Sequence, residues 1–372
     1  MSAPATGSIS VVKVGTSSIT DDDGAIDRDA IVKVCTEIAA VRATGHRVVL
    51  VTSAAIAAGL PALGMSARRR PTDARTLQAV SAVGQARLMQ VYNEVLAELG
   101  GLVGGQVLLA PLDFMVRSQY LHARSTLLRL LELGVVPVVN ENDAIADDEI
   151  RFGDNDRIAA LVAQLLGAEC LLILTDAAGV FTSDPRLDAS ASLIEEIVEV
   201  DQALERHAGG TGSNRGSGGM TTKLAAAKIA AWSGVRTVIA AADRERVVGE
   251  AIEGTAGVGT TVVPRPKRLP ARKVWIAFAV GSSGRIHVDA GARRALLERG
   301  SSLLAAGVTK VEGDFDADEA VEVLDPDGQV IAKGLSRVGA AALRGDATGV
   351  VLHRDDLLVL TDQGGDGAEG SA

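Results

Sequence analysis

The feature that most narrows what this chain can fold into is an alternation kept up over about its first 260 residues. Short runs rich in β-branched residues at 9–14, 47–52, 104–109, 135–139, 171–175 and 237–240 are separated by stretches with helical periodicity at 27–43, 74–99, 117–133, 156–166 and 220–232. A strand that returns parallel to its predecessor needs a long crossover, which is right-handed and places a helix on one face of the sheet. Repeated, this gives an α/β fold, a three-layer αβα sandwich around a mainly parallel sheet. Ligands in such sheets bind beyond the carboxyl ends of the strands, so the residues just after each strand carry most of the functional information.

A chain of 372 residues exceeds what one core comfortably serves, and a second domain is expected. The run Pro264-Arg265-Pro266-Lys267-Arg268-Leu269-Pro270 breaks the alternation and reads as a linker at 264–270. It divides a domain at 1–263 from a smaller one at 271–361, whose short strand signals at 274–279, 286–289, 320–324 and 330–333 suggest a small β-rich barrel with a helix at 292–299. Residues 362–372, mostly Gly, Asp, Ser and Ala, read as a disordered tail.

No apolar run approaches the ~18 residues of a membrane span, and residues 1–8 lack the charge and apolar core of an export signal. Two distant cysteines, Cys35 and Cys170, fit buried thiols in a reducing compartment, so a cytoplasmic location is expected. The net charge of −10 opposes the phosphate backbone of nucleic acids. The five histidines are isolated, without metal-ligand spacing, and no protein-held metal site is expected.

Several strand ends carry more polar chemistry than turns require. The first ends in Lys13-Val14-Gly15-Thr16-Ser17-Ser18. A lysine inside an apolar strand is costly to bury without an anionic partner, and the glycine turn after it suits a phosphate. The second leads into Thr52-Ser53-Ala54-Ala55, where a helix cap is an equally good reading. The fourth runs into Asn140-Glu141-Asn142-Asp143, followed by Gly153-Asp154-Asn155-Asp156 at a helix start. The fifth ends in Thr175-Asp176, before a turn ending in Ser183-Asp184-Pro185-Arg186. Finally, the glycine-rich loop 209–219 enters a helix carrying Lys223 in its first turn, a phosphate-site pattern that a merely flexible loop would also produce. Neither a Walker A sequence nor a G-x-G-x-x-G after the first strand is present.

These motifs, in this order, resemble those of the glutamate 5-kinases of the amino acid kinase family, and 284–308 resembles the PUA domain fused to bacterial members. The resemblance spans roughly residues 9–361. It implies the amino acid kinase fold plus a PUA-like barrel, and ATP-dependent phosphorylation of the side-chain carboxylate of L-glutamate, the first step of proline biosynthesis. By resemblance, Lys13, Asp156 and Lys223 serve the transfer, and Ser53, Asp143 and Asn155 hold glutamate. ATP, with Mg2+, falls to Lys13, Thr175, Asp176 and the loop Ser217, Gly218, Gly219, Met220, Thr221, Thr222 and Lys223. A homo-oligomer, dimer or tetramer, and feedback inhibition by proline are further implications.

Other kinases of the fold, such as acetylglutamate kinase, aspartokinase and uridylate kinase, fit less well because of the PUA-like tail and the Gly-Asp-Asn-Asp turn. RNA binding by the tail is disfavoured, since 271–361 holds 11 Lys and Arg against 13 Asp and Glu. Two departures stand out. Ala54 occupies a position where the family usually has glycine, which raises the expectation of lowered activity. The segment 342–350 is shorter than usual, so the barrel is expected to be trimmed.

Overall fold

The structure, a computed structural model, describes residues 7–21, 23–114, 116–145, 155–188, 190–201, 204–205, 219–266, 268–276 and 281–360. The chain divides into two compact units, Met1–Arg268 and Leu269–Ala372.

In the first unit, β1 (Ile9–Val14), β2 (Arg47–Val51), β3 (Gly104–Leu109), β4 (Val136–Glu141), β5 (Cys170–Thr175), β6 (Glu196–Ile197), β7 (Arg236–Ala241) and β8 (Thr260–Val262) form one sheet. Their order is β3-β4-β2-β1-β5-β7-β8-β6, with the first six parallel and β8 antiparallel to β7. Every residue of β1, β4 and β5 is buried, as expected of strands covered on both faces. The helices are α1 (Arg28–Ala43), α2 (Ala55–Ala62), α3 (Ala74–Glu98), α4 (Arg117–Glu132), α5 (Asn155–Leu166), α6 (Met220–Trp232) and α7 (Val247–Glu253). Local chemistry sets the starts of two of them: Asp27 accepts hydrogen bonds from the backbone N–H groups of Asp29 and Ala30, and Asp73 from that of Thr76.

One core cluster lies beneath α1, α3 and α7, with Tyr92, Leu88, Leu96, Ile31 and Ile38 against Val12, Leu50 and Leu172. The chain moves from β1 out to β2, and later crosses to β5 on the other side of β1. That reversal opens a crevice at the carboxyl ends of β1, β2, β4 and β5. The prolines and cations at 264–268 belong to this unit. The Arg265 guanidinium lies 3.8 Å over the Trp232 ring, and its backbone N–H donates to the carbonyl of Ala231.

The second unit is a curled sheet of β9 (Gly284–Val288), β10 (Leu303–Leu304), β11 (Val308–Gly313), β12 (Ala320–Leu324), β13 (Val330–Ser336) and β14 (Val350–Val359), in the order β10-β14-β13-β12-β9-β11. It carries α8 (Ala271–Val274), α9 (Ala290–Arg299) and α10 (Ala340–Arg344) around a core that includes Ile286, Phe315, Val321, Ile331 and Leu352. The strand expected at 274–279 is corrected in its first residues. Val274 ends α8, whose first turn is closed by hydrogen bonds from Lys273 and Val274 to the carbonyl of Pro270, and residues 277–280 lie outside the described residues. Proline presets helical φ at a helix start, and a short apolar run fits a buried helix as well as a strand. The tail at 362–372 also lies outside the described residues.

Candidate active site

At the centre of the crevice, Asp156 joins two lysines that come from opposite ends of the first unit. It is the second residue of α5 and 1% exposed. Its Oδ1 is 2.7 Å from Lys13 Nζ on β1, and its Oδ2 is 3.2 Å from Lys223 Nζ in the first turn of α6. The Thr222 hydroxyl donates to the same Oδ2 at 2.9 Å. Burial alone would raise this carboxyl's pKa, yet the two ammonium charges and the hydrogen bonds from Lys13 and Thr222 hold it down to about 2. Two buried cations are thereby fixed near one another. Gly15 follows on the turn after β1, where a Cβ would meet Lys13 Nζ at 3.6 Å.

On one side lie the residues assigned to the amino acid. Ser53 follows β2, and its Oγ accepts from Asn155 Nδ2 at 3.2 Å. Asn155 Oδ1 in turn accepts from the backbone N–H of Glu141 at 3.2 Å, at the end of β4. Asp143, two residues on, is 8% exposed and accepts from the Ser81 hydroxyl at 2.5 Å. Burial raises its pKa above the usual aspartate range, while the Ser81 hydrogen bond and the charge of Arg70 pull against that rise. No ion pair neutralises it among the described residues. Ala54 caps α2 with φ 77° and ψ 14°, the left-handed region that costs an alanine on the order of 1 kcal/mol and a glycine almost nothing. That conformation is the physical reason a glycine would be expected at this position.

On the other side, Thr175 and Asp176 leave β5, with the Thr175 hydroxyl donating to Asp176 Oδ1 at 3.0 Å. A cavity of about 390 Å³ is lined by Thr175 and Asp176, by the loop 177–186, and by Gly219, Met220 and Lys223. The loop is pinned where the backbone N–H of Val180 donates to Thr260 Oγ1 at 2.7 Å on β8. Thr222 is turned to Asp156, and Thr221 is exposed on the same helical turn. Ser217 and Gly218 lie outside the described residues.

Sequence reasoning did not single out Ser81 or Gln85, and it marked the turn ending at 183–186 as a motif without giving its residues a role in the site. Ser81 and Gln85 sit four apart on the buried face of α3, between Leu77 and Leu88, and two polar residues in an apolar stripe are the signal that could have found them. Among the described residues no group of three or more His, Cys, Asp or Glu is placed to hold a metal ion, and no helix is long and apolar enough to cross a membrane.

The sequence pattern of the amino acid kinase family matches residues 8–241, and that of the PUA domain matches residues 284–352. The chain is 45% identical to the glutamate 5-kinase of Burkholderia multivorans over 94% of its own length and 97% of the relative's. It is 43% identical to that of Pelobacter propionicus over the same shares, and 46% identical to that of Cupriavidus metallidurans over 90% of its length and 89% of the relative's. Among solved structures, a carbamate kinase from Giardia lamblia bound to AMP-PNP aligns with a TM-score of 0.50 at 19% identity, over 70% of this chain and 99% of that one, a likeness of fold. With the motifs, the parallel sheet and the curled second unit, these matches establish that the chain belongs to the glutamate 5-kinases of the amino acid kinase family, in the form that carries a C-terminal PUA domain.

Proposed function

We propose that this chain transfers the γ-phosphoryl group of ATP to the side-chain carboxylate of L-glutamate, giving L-glutamyl 5-phosphate and ADP. The observation that carries this reading is the Lys13–Asp156–Lys223 bridge, which holds two ammonium groups between the two halves of the crevice. A carboxylate oxygen of glutamate attacks the γ-phosphorus, the bond from that phosphorus to the β,γ-bridging oxygen breaks, and the electron pair leaves on ADP. No base is needed, because the acceptor is ionised at neutral pH. Catalysis of such a loose transfer is positioning plus stabilisation of charge on the phosphoryl oxygens. Lys13 and Lys223 supply that charge, and Asp156 keeps their ammonium groups aimed.

ATP occupies the cavity beyond Thr175 and Asp176, whose volume falls within the usual range for small-molecule sites. The Asp156 carboxylate is committed to two ammonium groups and a hydroxyl, so it is not offered as a ligand to a magnesium ion; such an ion, bound with ATP, would supply further positive charge to the phosphates. The two free, buried thiols Cys35 and Cys170 support a place in the cytoplasm.

Asp143 reads the α-ammonium of glutamate, because a buried carboxylate that forms no ion pair among the described residues, with only the charge of Arg70 acting on it, gains when a cation arrives. Asn155 and Ser53 hold the α-carboxylate region. An N-acetyl group removes that ammonium charge and leaves Asp143 unpaired, so kcat/KM for N-acetylglutamate is expected to fall on the order of 100-fold or more below that for glutamate. Aspartate, shorter by one methylene or about 1.5 Å, places its carboxylate short of in-line attack. The test is kcat/KM for the three amino acids with the acyl phosphate trapped by hydroxylamine; N-acetylglutamate equal to or better than glutamate overturns the reading.

A further inference from the structure

The long helix α3 presents two polar side chains to the amino-acid half of the site. Ser81 and Gln85 are only 4% and 6% exposed, one helical turn apart on the same face. Ser81 holds Asp143 through the 2.5 Å hydrogen bond to its Oδ2. Gln85 Oε1 accepts from Asn140 Nδ2 at 2.8 Å, and Asn140 Oδ1 accepts from the Glu141 N–H at 2.9 Å. That same N–H also donates to Asn155 Oδ1, and Asn155 donates to Ser53. A single chain of hydrogen bonds therefore runs from Gln85 to both residues that face the α-carboxylate.

Two further observations set these contacts apart from ordinary core filling. Gln85 Nε2 is buried with no partner among the described residues, a state that is unfavourable relative to an apolar side chain. The glutamine weakens the core at that point, so its use lies in the acceptor it offers Asn140. Between the two polar residues, Gly84 brings α3 against α2 so closely that a Cβ would lie 1.8 Å from the carbonyl oxygen of Ala55. Because α2 begins two residues after Ser53, this contact fixes α3 against the strand end that carries Ser53.

We propose that Ser81 and Gln85 are positioning residues for the amino-acid substrate: without touching it, they fix the Asp143 carboxylate and the Asn140–Asn155 pair, and so set the affinity for its α-ammonium and α-carboxylate. This rests on the reading of Asp143 as the ammonium partner. Among the described residues, the groups facing Asp143 are Ser81 from α3 and Arg70 from the segment between α2 and α3. The Ser81 hydroxyl favours the charged carboxylate, and its loss lifts the pKa further. Since the substrate needs Asp143 ionised, the acid limb of the kcat/KM profile for glutamate then moves to higher pH.

The test is steady-state kinetics across pH for Ser81→Ala, Ser81→Thr, Gln85→Met and Asp143→Asn, with thermal unfolding of each. Loss of a hydrogen bond to a charged group predicts that Ser81→Ala raises KM for glutamate roughly 10-fold. KM for ATP should stay within about 2-fold and kcat within about 3-fold, the acid limb should rise, and Ser81→Thr should recover most of the loss. Gln85→Met raises KM for glutamate without moving the acid limb. In the Asp143→Asn background, Ser81→Ala adds little, because the two act as one unit. Both KM values rising together, or a lower unfolding temperature with unchanged KM, overturns the proposal. If Asp143→Asn leaves KM for glutamate unchanged, the reading of Asp143 itself falls; if that variant raises KM while Ser81→Ala and Gln85→Met do not, only the present proposal falls.

Discussion

Lys13 and Lys223 share one carboxylate, and removing either changes more than a charge count. Asp156 is 1% exposed, so loss of one lysine leaves it leaning on the other and pulls the remaining ammonium toward itself. In the proposed transfer both cations act mainly on charge that develops as the phosphoryl group moves. Lys13→Ala and Lys223→Ala are each expected to lower kcat on the order of 100-fold or more, with a much smaller rise in KM for glutamate. Single-turnover measurement of acyl phosphate checks this, and near-normal turnover in either variant removes that lysine from the transfer. Ala54 shows the opposite kind of constraint at this scale, since its left-handed φ comes from the sharp exit of β2 into α2 and not from any preference of alanine.

At the level of elements, α2 and α3 pack backbone to backbone through Gly59 and Gly84. A Cβ at Gly59 would lie 2.0 Å from the Val80 carbonyl oxygen, and one at Gly84 1.8 Å from that of Ala55. Backbone cannot yield as a flexible side chain can, so Gly84→Ala must push the helices apart and shift Ser81 and Gln85 with them. Overpacking of this kind costs roughly 1 to 3 kcal/mol, and a lower unfolding temperature with a raised KM for glutamate is expected. Gly249→Ala on α7 is the contrast, because its methyl would meet only Val41 Cγ2 at 3.8 Å. There alanine's better helix propensity should hold or raise the unfolding temperature. Scanning calorimetry of both variants decides the matter, and an unchanged unfolding temperature for Gly84→Ala would show that the helices separate without cost.

For the whole molecule, every site residue described lies in Met1–Arg268. A chain ending at Arg268 is therefore expected to fold and to bind ATP with near-native affinity. Ending it at Pro264 removes the Arg265–Trp232 stack and the ion pair of Arg265 with Glu199, so a lower unfolding temperature is expected for that shorter form. Isothermal calorimetry on both soluble forms is the measurement. Loss of ATP binding in the Arg268 form would mean that the second unit completes the site or its core.

The sequence by itself determined the alternation of strand and helix, the parallel order it enforces, and the polar residues at the strand ends, because period and turn chemistry are local properties. Lys13 was legible because a lysine in an apolar strand demands a partner, and Lys223 because it follows a glycine-rich loop into a helix. Asp156 was named beside them through the family resemblance, and no local signature pointed to it, since β1, α5 and α6 are brought together only by the crossovers of the sheet. The same limit hid Ser81 and Gln85, which become meaningful only where α3 crosses the end of β4. It also made 274–276 read as strand, where Pro270 and the burial of Trp275 and Ile276 favour a helix. Contacts between residues distant in the chain carry no local signature, and tertiary packing alone decided them.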